Sequence, residues 1–388
     1  MSDSLNQVPN SPRNEDGDRV AVSRRTLLNQ AGRIAAATAL GGVAAAALAA
    51  APAPAEEYAP REMTITLEEL ISDEKAPVFV GRGEHTYVCQ HDWLTPPDSI
   101  AFGDTHGLAQ DSQGRIYVAH TVHPSSKSDD AICVFDADGK FLTSWGARFK
   151  GGAHGLDLRR EADGKEYLYH CDVAHKVVVK TTLTGEVLWE TAIPKQAGVY
   201  TDQTPFTPTN VAFGPDGSLY VTDGYGSDWI TQFDKNGDFV RVFGGKGSEP
   251  GKVSQAHGIW LDSRGSEPFL VVADRANSRL QYFTLDGKHV KFVTNGMRRP
   301  CHLDIRGDLV LVPDLSSVIT LLDRDNKVVA QLGDGDPTNL RGRPRSEYIP
   351  GKFIHPHDAM FLKNGDILVA EWVPTGRITR LQRVKRDA

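Results

Sequence analysis

Six times along the chain the same phrase returns: a short apolar run, a D-x-x-G-like turn, then a β-branched run. It is fullest at His106-Gly107-Leu108-Ala109-Gln110-Asp111-Ser112-Gln113-Gly114-Arg115-Ile116-Tyr117-Val118. It starts again at His154, Asn210, His257, His302 and His357, at spacings of 48, 56, 47, 45 and 55 residues. Several units add a third run, as at Ile230–Phe233 and Leu280–Phe283, and then a tight turn such as Asp136-Ala137-Asp138-Gly139. Strand and turn alternating at that pace predict four hairpin-joined strands per unit. Four-stranded units with a period near 40–50 residues are propeller blades, so the expected fold is all-β, a six-bladed β-propeller. No stretch between the strands is long or helical enough for a crossover, which excludes alternating βα units. The sixth unit ends at Arg377–Gln382, one strand short. Thr86-Tyr87-Val88-Cys89 is expected to supply an N-terminal strand that closes the ring and removes an exposed sheet edge.

Composition agrees with this reading and narrows the partners. Thirty-seven glycines and 22 prolines are the punctuation of many short strands. With 43 basic against 50 acidic side chains the net charge is −7, which argues against nucleic acid as a partner. Four scattered cysteines with no CxxC pair exclude a disulfide framework and a cysteine-based zinc site. Ahead of the repeats stand Ser23-Arg24-Arg25-Thr26-Leu27-Leu28, an Ala/Gly-rich stretch from Ile34 to Ala51, and Ala53-Pro54-Ala55. In that order they read as a secretory signal of the twin-arginine type, with export to the periplasm or outside the cell. The Ala/Gly stretch inserts poorly into lipid, so membrane attachment is expected only where the signal stays uncleaved. The expected organisation is a signal over 1–55, a segment with the closing strand over 56–100, and the propeller over 101–388. Residues 63–72 read as a short helix or strand.

The repeat start precedes the innermost strand of each blade, so equivalent positions converge on one end of the channel. Five of the six starts are histidine: His106, His154, His257, His302 and His357, with Asn210 in the third unit. One histidine there is ordinarily a packing residue inherited with the repeat, but five on one closed ring point to a transition metal. Three ligands with an open position would be a catalytic site, and four closed ligands a structural one. The acids after the second strands, Asp223, Asp274, Asp314 and Glu371, read as ties for the following turns. Tyr225 and Arg275 follow the first two and share the rim of the histidines.

Units Pro208–Phe233 and Ala256–Phe283 resemble NHL-type repeats. Pro208-Thr209-Asn210-Val211-Ala212, Val221-Thr222-Asp223-Gly224-Tyr225, Val272-Ala273-Asp274-Arg275-Ala276-Asn277 and Pro356-His357-Asp358 are similar to the peptidyl-α-hydroxyglycine α-amidating lyase domain of the peptidylglycine-amidating enzymes. The resemblance runs over most of 101–385, strongest in the third and fourth units and weakest in the fifth. It implies a catalytic zinc held by His154, His257 and His357, with His106 and His302 as further ring candidates. It also implies a structural calcium on the backbone carbonyls of Leu108 and Leu156 and the carboxylate of Asp358, and catalytic roles for Tyr225 and Arg275. The implied reaction cleaves the N–Cα bond of a peptidyl α-hydroxyglycine, or a similar small α-hydroxy amide, to an amide and glyoxylate. Two positions depart from the family: Thr121, next to the matching His120, stands in place of a first-unit arginine, and Gly226 in place of a half-cystine. The missing arginine leaves two readings open, another metal-dependent propeller hydrolase (lactonase- or esterase-like) and a non-catalytic interaction propeller.

Overall fold

A computed structural model describes residues 77–335 and 340–384. The expected export signal and the element expected over 63–72 lie outside these residues. Among the described residues, twenty-five strands form six antiparallel sheets, one per repeat. The inner strands are Thr105–Gln110, Ala153–Arg160, Asn210–Phe213, Ala256–Asp262, Asp304–Arg306 and Pro356–Phe361 in blades one to six. Inner strands of blades one and two, two and three, three and four, five and six, and six and one touch. No helix among the described residues is long and apolar enough to cross a membrane.

Blade six is built from both ends of the chain. Its third strand, Arg377–Arg383, pairs with His85–Gln90, with Cys89 opposite Leu381. A further strand, Phe79–Arg82, pairs with His85–Gln90 and makes this the one five-stranded sheet. The closing strand was expected; its hairpin partner was not.

Alternation along the strands drives the packing, because side chains of one face point into the gap toward the next blade. Six apolar clusters fill these gaps, one for each pair of adjacent blades. The seam between blades six and one holds Leu108, Ile116, Phe135, Leu368 and Ile378. Each such side chain contributes about 1.5–3 kcal/mol on burial, so the blades hold one another without help from the channel.

Two backbone features aim side chains at the axis. In blades one, two, four and six the ladder between first and second strands slips by one residue where the histidine sits, between Thr105 and Gly107, Ala153 and Leu156, Ala256 and Ile259, and Pro356 and Asp358. A bulge of this kind re-aims a side chain. Blade three, which carries Asn210, pairs without a slip. The second feature is the glycine after the histidine. A Cβ at Gly258 would lie 2.6 Å from the Cys301 carbonyl oxygen, and one at Gly155 would press on that of Thr209. Only glycine lets the next blade's backbone approach this closely.

Candidate metal centre

Those approaching carbonyls set the state of the histidines. His154 Nδ1–H donates to Thr209 O at 2.8 Å, His257 Nδ1–H to Cys301 O at 2.8 Å, and His357 Nδ1–H to His106 O at 3.0 Å. A neutral imidazole with its proton on Nδ1 has a bare lone pair on Nε2, so three lone pairs turn inward. Burial is the main force holding His106, His257 and His357 well below the ordinary histidine pKa, and it pushes His154 down to about 3. The rings are neutral and ready to ligate.

The tightest group is His106, His154 and His357, whose ligand atoms all lie within 4.8 Å of one another. His106 Nδ1 stands 3.3 Å from His357 Nε2, close to the roughly 3.3 Å between two nitrogens on one tetrahedral zinc. His257 completes the ring, its centroid 4.8 Å from that of His154 and 4.6 Å from that of His357. The ring thus gathers four of the five template histidines, and this donor set fits zinc or a similar borderline ion.

Tyr225 and Arg275 come together on the same rim. The Tyr225 hydroxyl lies 3.0 Å from His257 Nε2 and 3.3 Å from His154 Nε2. Arg275 Nη1 donates to that hydroxyl at 3.3 Å, and its guanidinium lies over the phenol ring at 5.2 Å. Burial raises the Tyr225 pKa and Arg275 opposes it, with the net shift upward. Arg275 Nε is buried with no partner, a donor left for an anionic oxygen.

His302 is not in the ring, which corrects its place as a further ring candidate. It precedes its blade's inner strand, and its Nδ1 stands 2.7 Å from Asp358 Oδ1. Burial would lower its pKa, but the carboxylates of Asp358, Asp157 and Asp304 outweigh burial and lift it to about 9. Asp358 Oδ2 accepts the Leu108 N–H at 2.7 Å. Of the residues that the resemblance assigns to calcium, Leu108 and Asp358 therefore share their corner with an imidazole, a donor calcium does not favour.

The remaining expected residues have local partners. Asp223 accepts the Ser227 N–H at 2.5 Å, Asp274 that of Ser254 at 2.7 Å, Asp314 that of Ser316 at 2.8 Å, and Glu371 that of Ile354 at 2.7 Å. His120 is buried and accepts the Val122 N–H at 3.1 Å. Thr121 donates its N–H to Asp104 O, and at Gly226 any side chain would meet the Pro205 carbonyl. All four cysteines are free and buried. Sequence reading missed Asp157, a buried carboxylate on the inner strand of blade two. The signal was an acid inside an otherwise apolar run, His154-Gly155-Leu156-Asp157-Leu158.

No family model matches the chain. Over 167 residues, 41% of this chain, it is 32% identical to the peptidyl-glycine alpha-amidating monooxygenase of Mus musculus, spanning 16% of that protein. Over 245 residues, 57% of this chain, it is 25% identical to a probable peptidyl-alpha-hydroxyglycine alpha-amidating lyase of Caenorhabditis elegans, spanning 67% of that protein. Among solved structures, a gluconolactonase of Xanthomonas campestris superposes with a TM-score of 0.53 at 11% identity, covering 79% of this chain and 96% of that one. A streptogramin B lyase does so with a TM-score of 0.50 at 14% identity, covering 76% and 97%. At these identities the structural matches speak for the propeller fold alone. The chain is a six-bladed propeller whose sequence resembles the amidating lyase and the peptidylglycine-amidating enzymes.

Proposed function

We propose that the chain is a metal-dependent lyase that cleaves the N–Cα bond of a peptidyl α-hydroxyglycine, or a similar α-hydroxy amide, to an amide and glyoxylate. The observation that carries this reading is the buried, unpartnered Nε of Arg275 beside a phenol that touches two ring histidines. His154, His257 and His357 would hold the ion, with His106 against them. A zinc-class ion lowers the pKa of a hydroxyl it binds.

The chain's own groups do the rest. Tyr225 stands where it can take the α-hydroxyl proton at its phenolic oxygen once that oxygen is ionised, and Arg275 favours the ionised form. As the hydroxyl loses its proton, a C=O bond forms and the N–Cα bond breaks. Its electron pair goes to the amide nitrogen, which takes up a proton. Arg275 Nε and Nη1 steady the negative oxygen while this happens. Thr209 O and Cys301 O keep His154 and His257 from turning.

One observation favours a second reading. The rim has Thr121 where the family has a cation, so the ring would equally serve a propeller hydrolase acting on a neutral lactone or ester. Metal-loaded protein should release glyoxylate from α-hydroxyhippurate-like compounds and leave lactones and aryl esters intact. The opposite pattern overturns the lyase, and inactivity on both supports a binding propeller. Residues 1–55 we read as a twin-arginine export signal. Lysine at both Arg24 and Arg25 should then hold precursor in the cytoplasm, and normal delivery would refute that reading.

A further inference from the structure

Away from the histidine ring, a basic cavity opens between blades five and six. Its volume is about 440 Å³, and Tyr87, Arg306, Leu309, Phe361, Arg380 and Arg383 line it. Phe361 ends the inner strand whose second residue is His357, so at about 3.3 Å per residue it stands roughly 13 Å along that strand from the ring. Tyr87 and Arg383 belong to the two strands that close the propeller. They lie directly opposite each other in that pairing, and opposite residues project from one face of a sheet. Tyr87 is 2% exposed, yet its hydroxyl makes no hydrogen bond among the described residues. A buried hydroxyl left unpaired costs about 1–3 kcal/mol, and this one lines a cavity that a ligand can fill.

The charges around that hydroxyl do not cancel. Arg380 is spent on Asp366, Nη2 to Oδ2 at 2.6 Å, and Asp366 Oδ1 accepts the Arg383 N–H at 2.9 Å. Arg306 gives Nη1 to Leu362 O at 2.7 Å and Nη2 to Lys363 O at 3.0 Å. Both acceptors are neutral, so they hold the guanidinium still and leave its charge whole. The Arg383 guanidinium has no hydrogen bond or ion pair among the described residues. Burial raises the Tyr87 pKa and Asp366 adds to it, while Arg383 and Arg306 act against them, which puts both guanidiniums near the phenol. Two uncompensated positive charges thus meet at one cavity of a chain whose net charge is −7.

The uncommitted groups say what fits. The Tyr87 hydroxyl and the Arg383 guanidinium can donate, whereas Asn364 has committed both Nδ2 and Oδ1 to Asp366. The missing partner is an anionic acceptor, and a planar carboxylate matches a guanidinium fork. Leu309, Phe361 and the ring of Tyr87 add apolar wall, and the volume is that of a small-molecule pocket, so the anion carries a hydrocarbon body.

We propose that the cavity between blades five and six binds a small organic carboxylate, its head group at Tyr87 and Arg383 beside Arg306 and its apolar body against Leu309 and Phe361. Such a molecule clasps the first strands to the last and stabilises the closed ring. The proposal does not depend on the lyase reading, and its test needs no substrate. The full chain is stripped of metal, so that no ion at the ring holds a carboxylate, and is titrated with phenylacetate and with inorganic phosphate. Calorimetry should show one phenylacetate per chain, with phosphate at least tenfold weaker, and the melting temperature should rise with phenylacetate concentration. Arg383→Gln and Tyr87→Phe should each weaken phenylacetate by tenfold or more. The first changes an exposed strand end and the second removes one hydroxyl, so both should fold, as circular dichroism checks. Arg275→Gln, which removes the buried cation at the ring, should leave phenylacetate affinity unchanged. Wild type that binds no phenylacetate, or binds phosphate as tightly, overturns the proposal. So does affinity that survives both Arg383→Gln and Tyr87→Phe, or that falls in Arg275→Gln.

Discussion

Blades four and five open on the same residue type and use it differently. His257 sits inside its inner strand at a bulge, gives Nδ1–H to the Cys301 carbonyl, and turns Nε2 to Tyr225. His302 stands two residues ahead of its inner strand and faces Asp358. The residue after each histidine explains the split. Gly258 lets the next blade's backbone come within reach, whereas blade five has Leu303 there, buried in the apolar cluster shared with blade four. Their protonation diverges accordingly. Burial, helped by the charge of Arg275 and by His357 and His154, drives His257 far below the ordinary value, while at His302 burial is outweighed by carboxylates and the pKa rises to about 9. A repeat position therefore supplies a side chain, and the neighbouring strand decides its role.

The sharpest way to break this comparison is to delete each histidine in turn. His257→Ala should lose the ring ion and bring glyoxylate release down to the level of metal-free protein, with the β-sheet signal in circular dichroism intact. His302→Ala should keep the ring ion by elemental analysis of protein bearing one site's worth of added zinc. Loss of the ring ion from both would erase the distinction. Next in size, Tyr225→Phe removes only a hydroxyl, so turnover should fall about 10²-fold while metal content stays the same. Full turnover in that variant would remove Tyr225 from the chemistry.

Gly258→Ala pushes on the Cys301 carbonyl, which orients His257. We expect metal affinity at the ring to drop about 10–100-fold, and stability by about 1–3 kcal/mol in denaturant melts. Unchanged affinity would mean that the carbonyl contact is incidental. The smallest effect concerns pH. His170, stacked on Phe149 at 4.6 Å and hydrogen-bonded to Thr181, is pushed by burial to about 3, and His120 to about 4. Both folded values lie below the ordinary 6.5, so the unfolded chain binds more protons and stability falls as pH drops below about 6.5 toward 4. The melting temperature should decline over that interval, less steeply in His170→Gln. Equal slopes would show that His170 does not carry the effect.

The blades were legible because each repeats its turns at fixed offsets, and the ring because four of its histidines share one template position. Phe79–Arg82 was not singled out: it is four residues long and carries Gly81, at φ 82°, in its middle, which breaks the β-branched pattern. The fate of His302 and the part played by Asp157 were not legible, since both depend on contacts across the channel between blades far apart in sequence. Tyr225 and Arg275 were paired because each closely follows an acid at the end of a second strand, two residues after Asp223 and one after Asp274, and the short path between blades three and four brings them into contact.

The seam between blades six and one sets the timing of the site's construction. His357 reaches back to His106 O, Thr105 Oγ1 donates to Glu371 O at 2.7 Å, and the strand ending at Arg383 waits for His85–Gln90. His85–Gln90 therefore has a partner on one edge only, Phe79–Arg82, until Arg377–Arg383 is made. A nascent chain with five blades translated has three of the ring's four histidines and lacks His357, which comes with blade six. An ion held by this ring would therefore be enclosed only once blade six has joined blade one.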